Sequence, residues 1–184
     1  MQKIIAITGL KRSGKDTIAN YLRDNYGYTI FRFAEPIKKV IILLMEYANI
    51  SKDDIENYLE FDKEVVIPEL NASYRQLAQT LGTEWGREQI DQDFWVNLLN
   101  FTIKDNDKVV ISDLRFESEV DFIKTKKSYI IKVYRGDDEI KDEHISEQGI
   151  DDGHINYFID NNSSLDYLYI QADSVMTILG EKKL

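Results

Sequence analysis

The run Gly9-Leu10-Lys11-Arg12-Ser13-Gly14-Lys15 fits the spacing G-x-x-x-x-G-K, and each residue type in that pattern has a physical task. Glycines let successive backbone N–H groups turn inward around phosphate oxygens, and the helix that follows adds the positive end of its dipole. Lys15 reaches the β- and γ-phosphates of ATP. Lys11 and Arg12 are placed to bridge the phosphates of a donor and an acceptor, and Ser13 and Gly14 complete the cradle. The residue after Lys15 is Asp16, where serine or threonine usually holds magnesium. A carboxylate beside a triphosphate is costly unless a divalent cation lies between them, so Asp16 is expected to contact hydrated Mg2+, with Thr17 able to supply a hydroxyl.

Phosphoryl transfer needs positioning and charge neutralisation more than covalent chemistry, so the other residues to seek are carboxylates that order the metal or substrate, and arginines. Asp113 ends the apolar run Val109-Val110-Ile111-Ser112, and Arg115 lies two residues on, within reach of the same pocket. Arg75 and Arg87 flank Gly82, whose missing side chain permits a close backbone approach, and guanidinium forks grip phosphate bidentately. Ion pairing with neighbours such as Glu84 is the structural alternative for either arginine. Trp85 and Trp95 could stack on an acceptor base or serve as core; Trp95 reads as core and Trp85 is left open. Six of the seven arginines (12, 32, 75, 87, 115 and 135) fall in or beside these segments, and Arg23 reads as helix surface. His144 and His154 have no partner pattern for a metal site and read as surface residues.

These residues need a scaffold. Lys3 to Thr8 is an apolar run that reads as a buried strand. Ile18, Leu22 and Tyr26 recur at helical spacing and Gly27 closes that helix. Further strands are expected over 28–33, 109–112, 129–134 and 155–159. Pro36 sits in the first turn of a helix running through Met45, and Ser51 caps an acidic helix through Leu59. Ser73 with Gln76 makes a capping-box pattern. A helix from near Asp93 carries Val96, Leu99 and Ile103, another spans about 117–126, and Ser163 or Ser164 caps a last one with Leu165, Leu168, Ala172, Val175 and Leu179 on one face. Strands separated by helices imply an α/β protein. With the loop, the fold class expected is a P-loop NTPase three-layer fold: a five-stranded mostly parallel sheet with helices on both faces.

At 184 residues the chain is long enough for one sizeable core, so 1–184 reads as one domain with insertions. The absence of cysteine excludes disulfides, thiolate metal sites and cysteine nucleophiles. Nothing at the N-terminus reads as a signal peptide and no window approaches a membrane span, so a cytoplasmic protein is expected. The formal charge of -10 argues against stable nucleic-acid binding, which needs a basic face. Gly136 to Gly153 holds eight carboxylates against one lysine and one histidine. It reads either as a solvated loop or as a lid over the nucleotide at about 136–153, with Arg135 or magnesium offsetting its charge beside ATP.

Several segments together resemble the deoxynucleoside monophosphate kinases of tailed phages, P-loop kinases related to adenylate kinase. They are 9–17 including the Asp16-Thr17 pair, Phe33-Ala34-Glu35-Pro36-Ile37-Lys38, Arg75 through Gly82-Thr83-Glu84 to Arg87, Asp93 with Trp95, and Asp113-Leu114-Arg115-Phe116 with Glu119. Beyond residue 119 the likeness is looser, at His144, Ser146, Glu147 and 161–168. The resemblance implies an ATP- and Mg2+-dependent kinase that phosphorylates a deoxynucleoside monophosphate, acting in host cytoplasm if phage-encoded. It implies a helical acceptor-binding insertion over about 35–105, and acceptor contacts from Lys11, Ile37, Lys38, Arg75, Gly82, Thr83, Trp85, Arg87, Asp93, Asp113, Arg115 and Glu119. Lys15, Arg87, Asp113 and Arg115 are the expected catalytic residues. Asn161 is a candidate for the adenine pocket, and a homodimer is left open.

Two other readings keep the loop. The acceptor could instead be dephospho-coenzyme A, phosphomevalonate or a modified base within DNA, the last disfavoured by the acidic surface. A non-catalytic ATP-binding switch is the other; a GTPase switch lacks its guanine-reading Asn-Lys-x-Asp segment.

Overall fold

The computed structural model describes residues 2–136 and 150–184, which divide into two compact units, 1–33 with 96–184, and 34–95. Residues 137–149, with most of the lid expected at 136–153 and with His144, Ser146 and Glu147, lie outside the described residues.

The larger unit is built on β1 (Lys3–Thr8). Five of its six residues are buried, which is what a strand covered on both faces requires. Around it stand β2 (Thr29–Phe31), β5 (Lys108–Ile111), β6 (Lys127–Tyr134) and β7 (Tyr157–Asp160), in the order β2-β5-β1-β6-β7. Every pairing is parallel, with Ile5 opposite Val110 on one side and Tyr129 on the other. Side chains alternate across a strand, and β1 divides accordingly. Ile5 and Ile7 pack with Ile18, Leu22 and Tyr26 of α1 (Lys15–Tyr26) and with Leu168, Ala172, Val175 and Met176 of α7 (Leu165–Ile178). Ile4 and Ala6 pack the opposite way, with Leu99 and Ile103 of α5 (Phe94–Ile103) and Val120 and Ile123 of α6 (Glu117–Lys124). The three-layer expectation therefore holds, with the sheet wholly parallel. Truncating one of these fully buried isoleucines to alanine should cost about 2–5 kcal/mol.

Leu165 departs from its expected face: it is 54% exposed, because it stands in the first turn of α7 before the helix meets the sheet. Ser164 caps that helix as expected, its hydroxyl accepting from the Tyr167 N–H at 3.3 Å. At the C-terminus Glu181 accepts from Lys3 and from Lys108. Burial alone would raise the Glu181 carboxyl, but the two ammonium partners outweigh it and hold it below the ordinary 4.5.

The unit 34–95 contains α2 (Glu35–Tyr47), α3 (Lys52–Glu60), the two-residue strands β3 (Val66–Ile67) and β4 (Ala72–Ser73), and α4 (Tyr74–Gln79). Pro36 stands in the first turn of α2, and Ser51 caps α3 by accepting from the Asp54 N–H at 3.2 Å. Its core joins Ile37, Ile41 and Met45, spaced four apart on α2, to Ile55, Leu59, Ile67 and Trp95. From Thr80 to Ile90 the chain follows a π-helix, with wider i→i+5 turns. The indole N–H of Trp95 donates to the Gly82 carbonyl at 2.7 Å, and the ring is 4% exposed, as expected for core. Among the described residues no helix is long and apolar enough to cross a membrane.

Candidate active site

β1 delivers the chain into the glycine loop and α1 takes it out again. Gly9 has φ +138°; a Cβ there would stand 2.1 Å from the Val133 carbonyl oxygen. Gly14 has φ +110°, and its Cβ would stand 2.5 Å from Asn161 Nδ2. Both positions combine a positive φ with a close contact, Gly9 against β6 and Gly14 against the Asn161 side chain just after β7, so only glycine fits without displacement. The turn closes through the Ser13 N–H donating to the Leu10 carbonyl at 3.1 Å. The first N–H groups of α1 have no partners within the helix, and they face the end of the loop where an anion gains from the helix dipole.

Lys15 donates from Nζ to the Gly9 and Leu10 carbonyls, each at 2.7 Å, so its ammonium lies across the loop. Ser13 is 2% exposed, and its hydroxyl oxygen is buried with no hydrogen-bond partner among the described residues. Lys11 and Arg12 are exposed, Arg12 at φ +66°. Asp16 stands in the first turn of α1 and is paired with Arg32, Nη2 to Oδ1 at 2.8 Å; the Ser112 hydroxyl approaches the same oxygen at 3.4 Å. Thr17, one residue on, is half-buried. Arg32 and Ser112 were not singled out for this role because the pairing depends on the strand order, which brings the ends of β2 and β5 to α1.

The end of β5 is organised by two carboxylates. Asp113 Oδ1 accepts from the Phe33 N–H at 2.9 Å, tying the loop after β5 to the end of β2. Glu119, 2% exposed, accepts from the backbone N–H groups of Arg115 at 2.8 Å and Phe116 at 3.2 Å. Glu119 thus sets the path of the chain at Arg115. Arg135 follows β6 and is exposed.

Of the other expected acceptor residues, Ile37, Lys38, Arg75, Gly82, Thr83, Trp85, Arg87 and Asp93 belong to the unit 34–95. Arg75 pairs with Glu64, rather than with the Glu84 suggested by the sequence, and Arg87 Nη1 donates to the Gln92 carbonyl at 3.3 Å. Gly82, Thr83, Trp85 and Arg87 share the π-helix, the first two buried and Trp85 40% exposed, edge-on to Phe94. π-Helical turns are rare, and the single-turn π-bulges that make up most of them are frequent at functional sites. One oxygen of Glu84 in that helix is buried with no partner among the described residues. Ile37 is buried, Asp93 is exposed, and Lys38 stands 3.7 Å from Glu60. Lys38 and Lys52 line a cavity of about 320 Å³ with Glu46, Glu56 and Glu60.

No group of three or more His, Asp or Glu able to hold a metal ion by itself occurs among the described residues.

A glycine loop joining the central strand of this parallel sheet to a helix defines the class, a P-loop fold. Dephospho-CoA kinase from Campylobacter jejuni superposes with a TM-score of 0.53, covering 97% of this chain and 98% of its own at 14% identity, a likeness of fold. The sequence model of the deoxynucleotide monophosphate kinase family matches residues 3–67 and 57–172, and the chain belongs to that family. Two relatives named deoxynucleotide monophosphate kinase span nearly its whole length. That of Enterobacteria phage T4 is 26% identical over 96% of this chain and 100% of its own. That of Escherichia phage RB69 is 22% identical over 95% and 99%.

Proposed function

We propose that this protein transfers the γ-phosphoryl group of ATP to a deoxynucleoside monophosphate, giving the diphosphate and ADP. The observation that carries the reading is the loop 9–15, in which two glycines without room for a side chain, a lysine lying across the turn and a helix N-terminus meet, the combination that phosphate binding calls for. Family membership supplies the acceptor class, and the phage relatives support action in a host cytoplasm.

In this reading the backbone of 9–15 with Ser13 and Lys15 holds the ATP phosphates. Lys11 and Arg12 reach toward the transferred group, and Arg135 assists at the donor. Asp16 and Thr17 would hold hydrated magnesium, which would supply charge neutralisation at the phosphates. An oxygen of the acceptor's own phosphate attacks the γ-phosphorus as the bond to the β-γ bridging oxygen breaks. The nucleophile is already anionic, so the protein's task is alignment and charge stabilisation. Asp113 and Arg115 serve the transferring group, with Glu119 positioning Arg115. Arg75 and Arg87 clamp the acceptor phosphate with Lys38 and the N–H near Ile37, while Gly82, Thr83, Trp85 and Asp93 bind the nucleoside.

Alanine at Arg87 or Arg115 should lower turnover by about two orders of magnitude or more with the unfolding temperature little changed. Unchanged kinetics for either would remove that residue from the site.

A further inference from the structure

The segment after β7 carries an interaction that the proposed chemistry does not use. Asp160, the last residue of this edge strand, is gripped on both sides of its backbone by one side chain. Gln171 Oε1 accepts from its N–H at 2.9 Å, and Gln171 Nε2 donates to its carbonyl at 2.6 Å. Gln171 sits on α7, whose Leu168, Ala172 and Val175 are buried against the sheet, so the grip is anchored in the core. The next residue, Asn161, donates its N–H to the Tyr134 carbonyl at 2.9 Å, and its side-chain Nδ2 donates to the Ser13 carbonyl, 148 positions away, at 2.7 Å.

The Ser13 carbonyl and the Gly14 N–H belong to the same peptide unit. In a trans peptide they point in opposite directions, and no cis bond occurs among the described residues. Holding the carbonyl toward Asn161 therefore turns the Gly14 N–H away from Asn161. Gly14 is a residue for which rotation of that peptide is sterically cheap, so the loop itself does little to prevent it.

We infer that Asn161 is a positioning residue that locks the Ser13–Gly14 peptide with its N–H directed to the phosphate, and that Gln171 holds Asn161 in place. The inference rests on loop 9–15 being the ATP-phosphate site. It assigns Asn161 to the phosphate loop, whereas the sequence suggested the adenine pocket.

The test uses the full-length protein and two variants, Asn161→Asp, which keeps the shape and removes the donor, and Asn161→Ala. Binding of Mg-ATP is measured by calorimetry, KM is measured for ATP and for the acceptor, and thermal unfolding is followed in parallel. Losing one part-buried hydrogen bond that organises the site should weaken ATP binding about tenfold, with KM for the acceptor within twofold of wild type and unfolding still cooperative. Gln171→Leu should shift ATP binding in the same direction by less. ATP affinity within twofold of wild type in both Asn161 variants would overturn the inference. So would equal losses in ATP and acceptor KM, or loss of the cooperative unfolding transition in both, since either makes Asn161 merely structural. If wild type itself fails to bind ATP, the reading of the loop falls, and this inference with it.

Discussion

Replacing Gly9 by alanine tests the loop geometry with a single methyl group. The added Cβ would stand 2.1 Å from the Val133 carbonyl oxygen and 2.8 Å from Ser13 Oγ. Carbon–oxygen contacts close down to about 3.3 Å, so the methyl is more than about 1 Å too near. Val133 cannot retreat: it is fully buried in β6 and registers with Ile159 of β7. The loop must move instead, by about 1 Å, and a misplacement of that size costs about a hundredfold in rate. A non-glycine residue at φ +138° adds about 1–3 kcal/mol of strain, or a fall in unfolding temperature of about 2–12 °C for a chain of this length. The assay is coupled ADP release with ATP and acceptor varied separately, alongside a thermal melt. The expected result is a loss of about a hundredfold or more in kcat/KM for ATP in a protein that still unfolds cooperatively. A Gly9→Ala protein within threefold of wild type would refute the close-contact argument.

Arg32→Ala removes the partner that neutralises Asp16. The pair is largely exposed, so stability should fall by less than about 1 kcal/mol, while ATP affinity at low salt drops because the carboxylate then faces the triphosphate uncompensated. In an Asp16→Ser background the same substitution should have little effect, and simple additivity in that double-mutant cycle would break the proposed link. Glu181→Gln tests the acid limb of stability. Because the folded carboxyl lies below its ordinary value, the unfolded chain binds more protons in the window between the two. Its stabilisation is therefore fully present above about pH 4.5 and is lost as pH falls through the folded value. The stability gap between wild type and Glu181→Gln should narrow below about pH 4; a gap independent of pH in acid urea titrations would contradict the assignment.

What could be read in the sequence was local. The glycine loop is contiguous, the caps at Ser51 and Ser164 act on an N–H three residues away, and the opposite burial of alternate β1 residues follows from strand geometry. Contacts made across the sheet were hidden. Arg32 meets Asp16, and Asn161 meets Ser13, only after the order β2-β5-β1-β6-β7 is known. The π-helix over Thr80–Ile90 escaped because its glycines, four apart, match an ordinary helix equally well. The short pairing of β3 with β4 involves only two residues on each strand, too few for an alternating pattern. The acceptance by Glu119 Oε2 of the two backbone N–H groups before α6 is likewise a loop contact that spacing alone does not reveal.

The most direct test of phosphoryl transfer to a deoxynucleotide is a coupled assay of ADP release from Mg-ATP, with dTMP, dGMP, dCMP, dAMP, the ribonucleotides and dephospho-coenzyme A each offered singly. The account predicts that one or more deoxynucleoside monophosphates stimulate release well above the rate without acceptor, with the matching diphosphate as product. Stimulation by dephospho-coenzyme A alone, or by no acceptor while ATP still binds, would contradict it.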